Sequence, residues 1–230
     1  MDGARFDEFL AAVDRDGAIA ETRERAETTS RRGLLGLGLA SAGTLVLVRA
    51  GGARAARLSP SDVDILNYAL VLEYLQATFY TEAERSGALH GKTARAARVV
   101  GATERAHVKA FLDLLKSKAV KRPTFDFGGT TEQQRPFLKT AVALEDLAVA
   151  AYKGQAPRLK SNAVLAAAVG IHSVEARHAA WMRQLFGITP AVNAFDKPAS
   201  RQSINRIVAS THFIANKPKT SARKRPRFTG

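Results

Sequence analysis

The pattern Glu-x-x-His occurs twice in this 230-residue chain, as Glu104-Arg105-Ala106-His107 and as Glu175-Ala176-Arg177-His178. On an α-helix, residues i and i+3 share a face, so each pattern aims a carboxylate and an imidazole at one point. Two more glutamates accompany them. Glu73, in Leu72-Glu73-Tyr74-Leu75, is followed seven positions on by Tyr80; Glu145, in Leu144-Glu145-Asp146-Leu147, is followed at the same interval by Tyr152. Glu73 and Glu104 are 31 positions apart, and Glu145 and Glu175 are 30 apart. The same pieces recur in the same order at nearly the same spacing, which makes them an internal repeat.

Four carboxylates and two imidazoles suit the coordination of two metal ions. Carboxylates are hard anionic donors that can bridge divalent ions, and imidazole suits iron, manganese and zinc. Two divalent ions bring four positive charges, which four glutamates balance. Without metal, carboxylates packed together repel one another, and some must take up protons. The expected metal ligands are therefore Glu73, Glu104, His107, Glu145, Glu175 and His178, around two divalent ions, iron or manganese. Position in the repeat makes Glu104 and Glu175 the expected bridges, with Glu73 and Glu145 terminal and one histidine on each ion. One Glu-x-x-His alone carries little weight, because surface helices produce it by chance. Two of them, each with a glutamate in register, carry much more. The competing reading keeps the six residues as a buried polar network without metal. Tyr80 and Tyr152 are expected to pack or to support the ligands rather than to act as redox tyrosines. Gln76 and Asp146 are candidates for orienting a ligand histidine. His172 lies one turn before Glu175, and His90 and His212 have no ligand partner at useful spacing.

These residues need helices to position them. Ser59-Pro60-Ser61-Asp62 reads as a helix start, with capping side chains and a proline in the first turn. Ile65, Leu66, Ala69, Leu72, Leu75 and Phe79 then recur at helical spacing, and Gly87 and Gly91 end the run. Further helices are predicted from about Lys92 to Lys116, Thr131 to Lys153 and Lys160 to Phe186. Few stretches of alternating β-branched residues compete, so the fold class is all-α. Short first and third loops make antiparallel hairpins of helices one and two and of helices three and four. The middle connection, residues 118–130, has thirteen residues and reaches at most ~45 Å. A 24-residue helix is ~36 Å long, so this segment can cross the length of the bundle.

With these residues in view, the chain resembles the ferritin-like superfamily, and more narrowly the bacterial ferritin-like domain proteins related to plant desiccation-associated proteins. The resemblance runs from about Ser61 to Phe213. It rests on Asp64-Ile65-Leu66-Asn67-Tyr68-Ala69-Leu70, Glu73-Tyr74-Leu75, Phe79-Tyr80, Glu104-x-x-His107-Val108, Leu144-Glu145, Ala151-Tyr152 and Glu175-Ala176-Arg177-His178-Ala179-Ala180. Ala194-Phe195-Asp196-Lys197-Pro198, followed by a short terminal helix, is similar to this group too. The resemblance implies a ferritin-like four-helix bundle, two antiparallel hairpins joined by a long crossover, with a short C-terminal helix and a di-metal site. It implies no settled reaction.

The ends of the chain differ from its middle. Arg31 and Arg32 precede an apolar run, residues 33–48, and an Ala53-Arg54-Ala55 triplet of the cleavage type follows. A basic start, a short apolar stretch and a small-residue end describe a secretory signal. Ser30-Arg31-Arg32-Gly33-Leu34-Leu35 is similar to the twin-arginine export motif, although the usual following lysine is missing. Residues 1–55 are read as this signal, 56–215 as the ferritin-like domain and 216–230 as a basic disordered tail. An uncleaved membrane anchor is the alternative for the first segment. The expected location is periplasmic, cell-envelope or extracellular. The net charge is +14, and residues 217–230 hold six basic side chains and no acid. The tail lacks interleaved aromatics, so nucleic acid is not an expected partner; a solvated, disordered tail is the leading reading, contact with an anionic membrane or wall polymer is the alternative, and a homo-oligomer stays open.

There is no cysteine, which excludes a thiol nucleophile, a disulfide framework and a rubredoxin-type partner domain within this sequence. The functional expectation is an exported di-metal protein that oxidises metal or reacts with O2 or peroxide, in ferroxidase or catalase-like chemistry. The alternative is a non-enzymatic stress- or desiccation-related envelope protein that uses the bundle as a scaffold. A mineral-storing cage fits a signal peptide and a basic tail poorly.

Overall fold

The computed structural model describes residues 58–191 and 193–215. The signal segment and the basic tail expected from the sequence lie outside the described residues. Four long helices and one short one carry the fold: α1 Pro60–Ser86, α2 Gly91–Leu115, α3 Gln134–Gln155, α4 Asn162–Phe186 and α5 Arg201–Thr211. The four long helices form the expected bundle, with α1 packed along α2 and α3 along α4.

Local chemistry sets the helix ends. The Ser59 hydroxyl accepts the Asp62 backbone N–H with Pro60 in the first turn, and the Ser161 hydroxyl accepts that of Val164. α1 and α4 stop at Gly87 and Gly187, whose φ of 67° and 87° lie in the left-handed region that suits glycine. α3 starts at Gln134, three residues later than the sequence suggests. The intervening residues form turns, with Thr130 N–H donating to Phe127 O and Glu132 N–H to Gly129 O. There the Thr131 hydroxyl donates to Glu82 Oε1 at 2.6 Å, which pins the end of the connection to α1.

The crossover can be followed by its anchors. Near the start of α1, Asn67 Nδ2 donates to Lys118 O and its Oδ1 accepts from Val120 N–H. Near the end of α1, Thr131 meets Glu82 and Ser86. The connection therefore runs the length of α1, and α3 begins at the opposite end of the bundle from where α2 stops. Asp62 ties the second hairpin to the same end of α1, accepting the backbone N–H groups of Lys160 and Ser161. Among the described residues, one element departs from the all-α pattern. Thr124–Phe125 (β1) pairs antiparallel with Ile214–Ala215 (β2), with Thr124 opposite Ala215 and Phe125 opposite Ile214. This ribbon fastens the segment after α5 to the middle of the crossover, and a two-residue pairing leaves no period in the sequence.

The apolar core forms two clusters. One gathers Phe79, Tyr80, Phe127, Phe137 and Met182; the other gathers Leu66, Leu70, Phe111, Tyr152 and Ile171. Among the described residues, no helix is long and apolar enough to cross a membrane.

Candidate metal centre

Each long helix of the bundle contributes to one buried polar cluster. α1 supplies Glu73, α2 Glu104 and His107, α3 Glu145, and α4 Glu175 and His178. All four carboxylates are fully buried, and the imidazoles nearly so. The helices bury these groups because apolar residues flank them at helical spacing, such as Leu72 and Leu75 beside Glu73 and Leu144 and Leu147 beside Glu145.

The geometry divides into two overlapping groups. In the first, one ligand atom from each of Glu73, Glu104, His107 and Glu175 lies within 4.8 Å of the others; in the second, Glu104, Glu145, Glu175 and His178 do the same. Glu104 and Glu175 belong to both. His107 Nδ1 sits 3.3 Å from Glu73 Oε2, 3.3 Å from Glu104 Oε2 and 3.2 Å from Glu175 Oε1. His178 Nδ1 sits 2.9 Å from Glu104 Oε1 and 3.6 Å from Glu145 Oε2. These approaches are electrostatic, and none has hydrogen-bond geometry. Seven atoms of the six residues are buried without a hydrogen-bond partner: Glu73 Oε2, both oxygens of Glu104, His107 Nδ1, Glu145 Oε2, Glu175 Oε1 and His178 Nδ1. Buried polar atoms almost always find partners, so seven together mark a place built for something else. Hard oxygens and imidazole nitrogens converging within a few ångströms can hold metal ions.

The remaining oxygens are satisfied by residues that cross between hairpins. Tyr80 of α1 donates to Glu145 Oε1 at 2.5 Å, and Tyr152 of α3 donates to Glu73 Oε1. The sequence puts each tyrosine on the face of its own helix's glutamate; because α1 and α3 run antiparallel, each instead reaches the glutamate of the other. Gln76 Nε2 donates to Glu175 Oε2 at 3.4 Å, so it supports a carboxylate rather than a histidine. Asp146 supports neither, since it pairs with Arg183 at 3.2 Å. His172, His90 and His212 belong to neither group.

Burial and the neighbouring charges compete across the cluster. Burial pushes Glu73 up to about 7 against the pull of His107, and raises Glu145 and Glu175 as well, with neighbouring carboxylates adding to the rise. Burial acts upward on Glu104 too, but contacts with His107 and His178 outweigh it and bring it to about 2. Burial lowers the imidazoles, yet the surrounding carboxylates win and raise His178 to about 10 and His107 further. Without metal, both imidazoles hold their protons at neutral pH, and the Glu104 carboxylate sits between two imidazolium groups.

A family model for the ferritin-like domain matches residues 61–188, more than half of the chain. The chain belongs to the ferritin-like domain family. No curated protein matches it significantly. The matched span of the ferritin-like domain contains all six clustered residues and the three that hydrogen-bond to their oxygens, and it ends just after α4.

Proposed function

We propose that this ferritin-like domain binds two divalent metal ions, iron or manganese, and that the protein is an exported oxidoreductase acting on metal, O2 or peroxide. The observation that carries this reading is the convergence of seven buried, unpartnered ligand atoms from all four helices. Glu104 and Glu175, common to both groups, would serve both ions, while Glu73 with His107 would hold one and Glu145 with His178 the other. Bound iron or manganese would supply the redox chemistry that amino-acid side chains lack. The protein's own part is to fix the donors. Tyr152 and Tyr80 each hold the outer oxygen of a terminal glutamate and leave its inner oxygen free. Gln76 restrains one oxygen of Glu175, and the apolar residues above and below keep bulk water from the carboxylates. Export rests on the similarity of Ser30–Leu35 to a twin-arginine motif.

The test is elemental analysis of the protein purified from its own compartment, beside Glu104→Ala/Glu175→Ala. The expected result is about two iron or manganese ions per chain, lost in the double variant, with oxidant consumption that depends on them. A protein that takes up neither metal under any loading condition would reduce the cluster to a buried polar network and refute the reading.

A further inference from the structure

The sequence repeat relates the two ends of the bundle, yet the ends are packed differently. Aligning Glu73 with Glu145 sets Phe79 opposite Ala151, and aligning His107 with His178 sets Ala110 opposite Trp181. Around Tyr80 the large residues fill the interior. Phe79 stacks on Phe137 with centroids 5.1 Å apart and meets Tyr80 and Phe127 edge-on at 5.4 and 5.3 Å. Trp181 packs against the same group. Around Tyr152 the equivalent positions are alanines, and a cavity of about 50 Å3 remains between the helices. Ala69, Ala110, Ala151, Ala167 and Ala168 supply much of its wall. Its inner wall includes Leu72 and Tyr152, the neighbour in sequence and the hydrogen-bond partner of Glu73. Ala110, Ala167 and Ala168 are half-buried and form its outer rim.

Size and polarity decide what fits. The volume suits a molecule of a few heavy atoms. A buried water needs two to four polar partners. Three polar side chains line an otherwise apolar wall: Tyr152, whose hydroxyl is already committed to Glu73, Gln155, and Tyr68, whose buried hydroxyl has no hydrogen-bond partner. Hydrogen peroxide would give up hydrogen bonds to water on entering such a space, a cost that dioxygen does not have. Closer packing was open to this chain, because the other half of its own repeat achieves it.

We propose that the alanine-lined cavity is a binding site for dioxygen, through which it reaches the cluster on the Glu73–Tyr152 side. This rests on the reading that the cluster acts on an oxidant, and it names which one. Access from one end distinguishes the Glu73–His107 position from its repeat-related partner.

The test uses the metal-loaded full chain, crystallised under xenon pressure, with dioxygen and hydrogen peroxide consumption measured separately. Two variants fill the cavity: Ala151→Phe, which installs the residue of the repeat-equivalent position, and Ala168→Leu at the half-buried rim, which keeps the test open if the first does not fold. Xenon is expected in the wild-type cavity and absent from the filled variants. Dioxygen consumption is expected to fall at least tenfold in a filled variant, with metal content unchanged and any peroxide consumption within twofold of wild type. No xenon in the wild-type cavity, or an unchanged dioxygen rate in a variant shown to be filled, would overturn the site alone. A metal-loaded protein that binds xenon there but consumes neither oxidant would overturn both dioxygen as occupant and the oxidoreductase reading.

Discussion

Removing metal should make the stability of this bundle fall as pH rises, which is unusual for a carboxylate-rich site. The perturbation is chelation followed by thermal melting at pH 5.5, 7.0 and 8.0. Glu73 is fully buried and its pKa rises from 4.5 to about 7. A carboxyl whose folded value exceeds its unfolded one contributes stability that is complete below the unfolded value and disappears as pH climbs through the folded one. At about 1.4 kcal/mol per unit, the shift on Glu73 is worth about 3 kcal/mol. Glu145 and Glu175 are raised too and act in the same direction. The histidines add to the trend above their ordinary value of 6.5, because His178 is raised to about 10 and His107 further. Glu104 does not oppose it in this window. Its pKa is lowered to about 2, so its contribution is complete above 4.5 and is lost only in acid. About 2 kcal/mol of the Glu73 contribution is lost between pH 5.5 and 8.0, the rest having gone between 4.5 and 5.5; for a domain of this size 1 kcal/mol moves Tm by about 2–4 °C, so Glu73 alone implies a fall of roughly 4–8 °C across the window. The metal-loaded protein should show the opposite slope or none, because ligands bind metal deprotonated and affinity rises with pH. A metal-free Tm that is flat or rises across this range would refute the protonated-cluster argument.

Three further predictions concern the residues that hold the site in place. Tyr152→Phe strands Glu73 Oε1 without its hydroxyl and should destabilise the metal-free protein by about 1–3 kcal/mol in urea titration, with Tyr80→Phe doing the same to Glu145. Gly154→Ala would put a Cβ 2.0 Å from Ala199 O, against the loop that leads into α5. A loss of about 1–3 kcal/mol and faster hydrogen exchange at Ala199, whose N–H donates to Ala150 O, are expected. Asp62→Ala removes the acceptor of two backbone N–H groups between α3 and α4 and should cost about 1–3 kcal/mol, read from chemical denaturation.

The sequence by itself determined the four helices, their pairing into hairpins and the six residues that meet in the middle. It could do so because those signals are local or periodic. A helix face repeats every three to four residues, caps act over one turn, and two Glu-x-x-His patterns in equivalent helices read as a repeat without any knowledge of packing. The short α5 after Pro198 follows in the sequence only from the family resemblance; the structure shows its local basis, the Ser200 hydroxyl accepting the Ser203 N–H. Tertiary structure decided what depends on how antiparallel helices face one another. The sequence places Tyr80 near Glu73 along one helix; packing gives it to Glu145 and gives Tyr152 to Glu73. Along its own helix Gln76 is a candidate partner for a histidine, but the bundle sets it against Glu175. The ribbon between Thr124–Phe125 and Ile214–Ala215 joins positions about 90 residues apart through two residues on each side, too few to carry a pattern of their own. Likewise, alanine at position 151 reads simply as a good helix former. Only when four helices surround it does the missing volume become a cavity, because empty space belongs to no single residue.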